Sequence, residues 1–296
     1  RNTSKLTLAG KVTDQPIPKA LVSVQLDSGL FTTEADENGD YSIELTLDES
    51  DAEKLVKLKA KGQGEFEHVE FISQLGSASE LQIAAGKDGI LQSEENFSVN
   101  VTNVTTAEYA LLNEIENAFN NSVSLKKSKL EINAQAKLEL ATLIKAIVDN
   151  QNVDLPEGVN NTLELAKNKQ KASAFLTKLK AEQPELVEKT EQALKADENL
   201  IKPISFSLNG QYWLAETAFS NGLYLGLTFK EDGTGYALGE KTYSFKWKQS
   251  GQSVDITFVD ELILESSSLF DKDAPQIISH LKIDVFEQNA RFKSST

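Results

Sequence analysis

The chain has two histidines, His68 in Glu67-His68-Val69-Glu70 and His280, and neither has a second histidine three or four residues away. A histidine-based metal site therefore lacks its usual spacing. With no cysteine, disulfides, thiolate metal centres and thiol nucleophiles are excluded. No Gly-x-Ser-x-Gly turn presents a serine nucleophile, and no Gly-x-x-x-x-Gly-Lys loop cradles a phosphate. Asp36, Asn38 and Asp40 have the alternating oxygens of a calcium loop, yet Leu45 stands where its closing carboxylate is needed. The 45 carboxylates always contain a pair that looks suited to glycoside hydrolysis, so none is singled out. What remains is aromatic: Tyr243, Phe245 and Trp247 alternate with Ser244, Lys246 and Lys248, which puts three rings on one strand face. Such a face either packs a core or stacks on a ligand. These three are the candidate ligand-binding residues; no catalytic residue, metal ligand or cofactor is expected.

Residues can act only where elements hold them, and the first elements are strands. Ala20, Val22, Val24 and Leu26 alternate with Leu21, Ser23 and Gln25, and Tyr41, Ile43, Leu45 and Leu47 alternate with Ser42, Glu44 and Thr46. Asn38-Gly39 lies between them and tolerates the positive φ of a tight hairpin, so the two strands are expected to meet there. Leu6 and Leu8 begin another strand, and Val56, Leu58 and Ala60 mark a fourth. Short strands at this spacing predict an antiparallel sandwich.

These residues also carry a resemblance. Gly10, Val12 and Asp14, then Pro16, Ile17, Ala20 and Val22, then Asp36, Gly39, Tyr41 and Ile43 match the pattern of the carboxypeptidase regulatory-like domain. The match covers about the first quarter of the chain. It implies a transthyretin-like β-sandwich that serves as a non-catalytic appendage of secreted and surface proteins.

Beyond the sandwich, Thr105 and Glu108 have the form of a capping box. Helical spacing follows in four segments: Leu111 to Phe119, Ala136 to Ile147, Ala172 to Leu179 and Leu186 to Leu194. Breaks at Asn120-Asn121, Leu155-Pro156-Glu157-Gly158 and Gln183-Pro184 separate them, as in a bundle of four or five helices. The Asn-Val-Thr-Asn-Val-Thr-Thr-Ala junction at 100–107 and Leu155 to Val159 together resemble a group of bacterial secreted or lipid-anchored proteins without an assigned activity. After Pro203 the period returns to two. Phe229, Asp232, Gly233, Thr234 and Gly235 resemble the strand junctions of lipocalin-like meanders, with six or seven strands countable where a ligand-holding barrel needs about eight. The predicted fold is a multidomain α+β chain: a β-sandwich over 1–104, a helical domain over 105–202, and an antiparallel meander or partial barrel over 203–296.

The formal charge is −15, distributed as −9, −2 and −4 over those three segments. A polyanion is repelled, so no nucleic-acid partner is expected. No apolar run is long enough to span a bilayer. The absence of methionine is expected of a processed or truncated chain, for instance one that has lost a signal peptide, and a lipid anchor upstream of Arg1 is compatible with it. The leading expectation is a non-catalytic extracytoplasmic protein of the bacterial surface or periplasm. It would bind a protein or cell-surface partner, with self-assembly through an edge strand as one route. The alternatives are a carrier or sensor holding a small apolar ligand or glycan in the last domain, and an enzyme that works with carboxylates alone.

Overall fold

Alternating apolar residues near the start of the chain become strands with one buried face. The computed structural model describes residues 2–202, 210–214, 225–238, 241–250, 253–264, 276–286 and 289–295. The chain forms two compact units, Arg1–Lys202 and Pro203–Thr296, so the first strands and the helices that follow share one unit. It is of mixed α+β class, with three sheets that are mostly antiparallel and none closed into a barrel among the described residues. No helix among them is long and apolar enough to cross a membrane.

Strands β1 (Ser4–Thr13), β2 (Leu21–Leu26), β3 (Gly29–Glu34), β4 (Asp40–Leu47), β5 (Leu55–Lys61) and β6 (Glu70–Ser77) come first. Helix α1 (Ala78–Ala85) and the short strands β7 (Ile90–Leu91) and β8 (Val101–Thr102) follow. One sheet has the order β4-β1-β7, with β8 also on β1, and the other β3-β2-β5-β6. Leu6, Leu8, Ile43 and Leu45 from the first share one core with Val22, Val24, Leu58 and Phe71 from the second.

The Asn38-Gly39 turn is not the hairpin that the alternation suggested. β2 turns at Asp27-Ser28 into β3, while β4 pairs with β1. Asn38-Gly39 instead carries the chain from one sheet to the other. The Asp36 carboxylate accepts the N–H groups of Asn38 and Asp40 at 2.8 and 3.0 Å, and Val12 N–H donates to the Gly39 carbonyl at 2.8 Å. Gly39 has φ +76°, and a Cβ there would sit 2.4 Å from the Val12 carbonyl oxygen, so only glycine fits. The backbone occupies Asp36 and Lys11 pairs with Asp40 at 2.9 Å, which is where the calcium-like residues lie.

Six helices complete the first unit: α2 (Asn103–Leu112), α3 (Ser122–Glu131), α4 (Ala134–Asp149), α5 (Thr162–Lys167), α6 (Lys169–Glu182) and α7 (Pro184–Ala196). The capping box falls three residues before the expected one. Thr102 Oγ1 accepts from Val104 and Thr105 N–H, and Thr105 Oγ1 accepts from Thr102 N–H. The reason is β8: its pairing of Val101 and Thr102 with Val12 and Thr13 ends extended structure at Thr102, and the helix starts at once. Leu143, Ile147, Leu165, Leu179 and Val187 make the core shared by α4 to α7.

In the second unit β9 (Gly210–Leu214), β10 (Leu225–Phe229), β11 (Thr234–Leu238), β12 (Thr242–Ser250), β13 (Ser253–Leu264), β14 (Gln276–Phe286) and β15 (Asn289–Ser295) pair in sequence order as an antiparallel meander.

Candidate functional site

The three aromatic candidates are brought together on β12. Phe245 is buried, and Tyr243 and Trp247 pack against the cluster of Phe229, Phe258 and Ile256, while Ser244, Lys246 and Lys248 face out. The rings meet edge to face: Phe229 lies 5.4 Å from both Phe245 and Trp247, and Phe245 lies 5.8 Å from Phe258. Trp247 Nε1–H donates to the Lys230 and Thr234 carbonyls, each at 3.0 Å. The junction motif explains itself locally. Asp232 accepts from Thr234 N–H at 2.9 Å and Oγ1–H at 2.6 Å, which holds its carboxyl below the usual range. Gly235 lies opposite Phe245, and a Cβ there would come within 2.5 Å of its ring. Tyr212 and Trp213 stand on β9 and Tyr236 on β11, while Tyr224 is outside the described residues.

The second feature is a contrast between the two edges of the sheet β3-β2-β5-β6. At β6 the outward backbone groups are taken up by side chains. Thr162 Oγ1 accepts from Glu70 N–H at 3.0 Å and donates to its carbonyl at 2.9 Å, Thr106 Oγ1 accepts from Ile72 N–H at 3.1 Å, and Lys129 donates to the Gln74 carbonyl at 3.2 Å. Helices α5, α2 and α3 therefore close this edge. At the other end, β3 is paired with β2 alone among the described residues. The two-residue turn makes Leu26 and Gly29 a hydrogen-bonded pair, so Leu30, Thr32 and Glu34 point their N–H and C=O groups away from β2. The run has no lysine, proline or register shift, and Leu30 is 62% exposed.

The third feature was not singled out from sequence. Asp14 is fully buried between β1 and α4. Its Oδ1 accepts from Asn103 Nδ2 at 2.9 Å, and its Oδ2 accepts from Gln15 N–H at 3.0 Å. Lys145 Nζ donates to the Asp14 carbonyl at 2.9 Å, lies 3.4 Å from its carboxylate, and pairs with Asp149 at 3.1 Å. Burial pushes the Asp14 carboxyl well above its ordinary range, and its hydrogen bond with Asp149 acts the same way against the pull of Lys145. Asp149 also faces a cleft of about 580 Å³ formed by the loops 15–17 and 65–68 and the segment 147–155. His68 lies on its wall, whereas His280 sits 3.5 Å from Asp255 on the meander. A signal for this group existed: Lys145 interrupts Leu143-Ile144-Lys145-Ala146-Ile147, and a lysine in an apolar stretch needs a buried partner.

No family model, no curated protein and no solved structure matches the chain.

Proposed function

We propose that the protein is a non-catalytic extracytoplasmic surface protein that assembles by strand addition at β3. The observation that carries the reading is the unequal treatment of the two edges: three helices cap β6, and β3 keeps its outward backbone groups open. The extracytoplasmic setting rests on the resemblance of residues 10–43 to carboxypeptidase regulatory-like domains.

A second copy of the chain suits this edge. With Thr32 of two molecules placed opposite each other about a twofold axis, Leu30 of one faces Glu34 of the other. Threonine pairs favour a strand junction, and no like charges oppose. Light scattering on size-separated protein tests this. The mass should rise with concentration for the native chain and stay monomeric for Thr32→Pro, which removes an outward N–H without touching the β2 ladder. A native chain that remains monomeric across the whole concentration range overturns the reading.

A further inference from the structure

Independently of the β3 edge, we propose that the cleft beside Asp149 binds a primary amine carried on a short apolar stem. Its volume of about 580 Å³ lies in the range of small-molecule sites, roughly 300–1,000 Å³. Ile17, Phe66, Ile147, Val153 and Leu155 give it apolar walls that suit an alkyl chain.

The charge of the lining selects the sign of the ligand. Glu65, Asp149 and Asp154 face the cleft, and no lysine or arginine is among the residues that line it. The sixteen-residue helix α4 ends there, so the partial negative charge of its last carbonyls adds to theirs. Lys145, behind Asp149, does not reverse this. It is 2% exposed, does not line the cleft, and is paired with both Asp14 and Asp149, so its charge is met inside the fold. The acids Glu65 and Asp154 are exposed at the rim and remain uncompensated within the cleft. Asp149 is also pre-set: a buried ammonium at 3.1 Å fixes its carboxylate before any ligand arrives. An anion would meet only repulsion, and a neutral alcohol would gain the walls without the charge.

His68 supplies the reporter, because it lines the cleft while His280, the other histidine, lies in the second unit. The imidazole C–H resonances of the full chain, assigned with His68→Gln, can be followed while 1,5-diaminopentane is added at constant ionic strength. The expected result is a saturable shift of the His68 signal alone, absent with 1-pentanol, glutarate or calcium chloride. In the double variant Glu65→Gln, Asp154→Asn the half-saturation concentration should rise at least fivefold, with an unchanged circular dichroism spectrum confirming the fold. A shift that does not saturate overturns the proposal. So does one that pentanol or calcium reproduces, or one that keeps its half-saturation point in the double variant.

Discussion

Lys145 donates a 2.9 Å hydrogen bond to the backbone carbonyl of Asp14, a residue 131 positions earlier, and both are shielded from water. The bond ties the end of β1 to the C-terminal part of α4. An ion pair in this setting adds little net stability when intact, because each charge has been desolvated. Losing one partner is costly. Lys145→Met should destabilise the first unit by about 3 kcal/mol or more, since Asp14 and Asp149 are left to face each other. Adding Asp14→Asn should return part of the loss, which a denaturation double-mutant cycle would measure as a coupling well above that of independent sites.

The same group sets a dependence on pH. The Asp14 carboxyl is raised in the folded state, first by burial and then by its hydrogen bond with Asp149. A raised acid means that the folded chain holds a proton that the unfolded chain releases. Its contribution is therefore fully present below the ordinary aspartate range and is lost as pH rises through the folded value. Glu80, lowered by its hydrogen bond with Lys126, acts with the opposite sign, but it is only half-buried, its partner is exposed, and solvent screens the pair. Melting temperature should fall more steeply as pH rises above the ordinary aspartate range for the native chain than for Asp14→Asn, and parallel curves would count against a raised Asp14 carboxyl.

Gly10 and Tyr41 face each other across β1 and β4, and both meet Val99. The Tyr41 hydroxyl donates to the Val99 carbonyl at 2.5 Å, and a Cβ on Gly10 would lie 2.4 Å from that same oxygen. Tyr41→Phe should cost about 1 kcal/mol, the net worth of one buried hydrogen bond. Gly10→Ala should cost more, about 1–3 kcal/mol, because the added methyl must displace backbone. Urea midpoints that rank the two variants the other way would contradict this contact.

These contacts show where the sequence was readable. β2 and β4 showed in the alternation because each has one buried face and one wet face. β6 did not, since its segment Phe71 to Leu75 is buried on both sides, with α2 and α5 against it. Helices α4, α6 and α7 carry long apolar stripes, whereas α3 exposes Val123 and Leu130 and buries Leu125 on the opposite side, which blurs its period. The aromatic face of β12 followed from strand alternation alone. The Asp14–Lys145 pair could not be read as a pair, because nothing local links residues so far apart; only the odd placement of Lys145 hinted at it.

Thr142 on α4 offers a different kind of test. Among the described residues its Oγ1 is the buried side-chain polar atom without a hydrogen-bond partner. An unpaired buried hydroxyl carries its desolvation penalty with no return, so Thr142→Val, which keeps the shape and removes the group, should stabilise the chain by about 1 kcal/mol. A lower urea midpoint for the valine variant would mean that the hydroxyl has a partner in solution.

The aromatic face of β12 closes on a prediction about Trp247. Its indole N–H is already engaged by the Lys230 and Thr234 carbonyls, and its ring packs edge to face on Phe229. A ligand that stacked on this ring would have to break contacts that the sheet core provides. Trp247→Phe should therefore lower stability by about 1–2 kcal/mol, through two lost hydrogen-bond acceptor contacts and some ring area. In a Trp213→Phe background, where Trp247 is the sole tryptophan, its emission should show no saturable shift on titration with fatty acids, retinoids or oligosaccharides. A saturable shift in that background would make the meander a ligand carrier and turn Tyr243, Phe245 and Trp247 from core residues into the wall of its pocket.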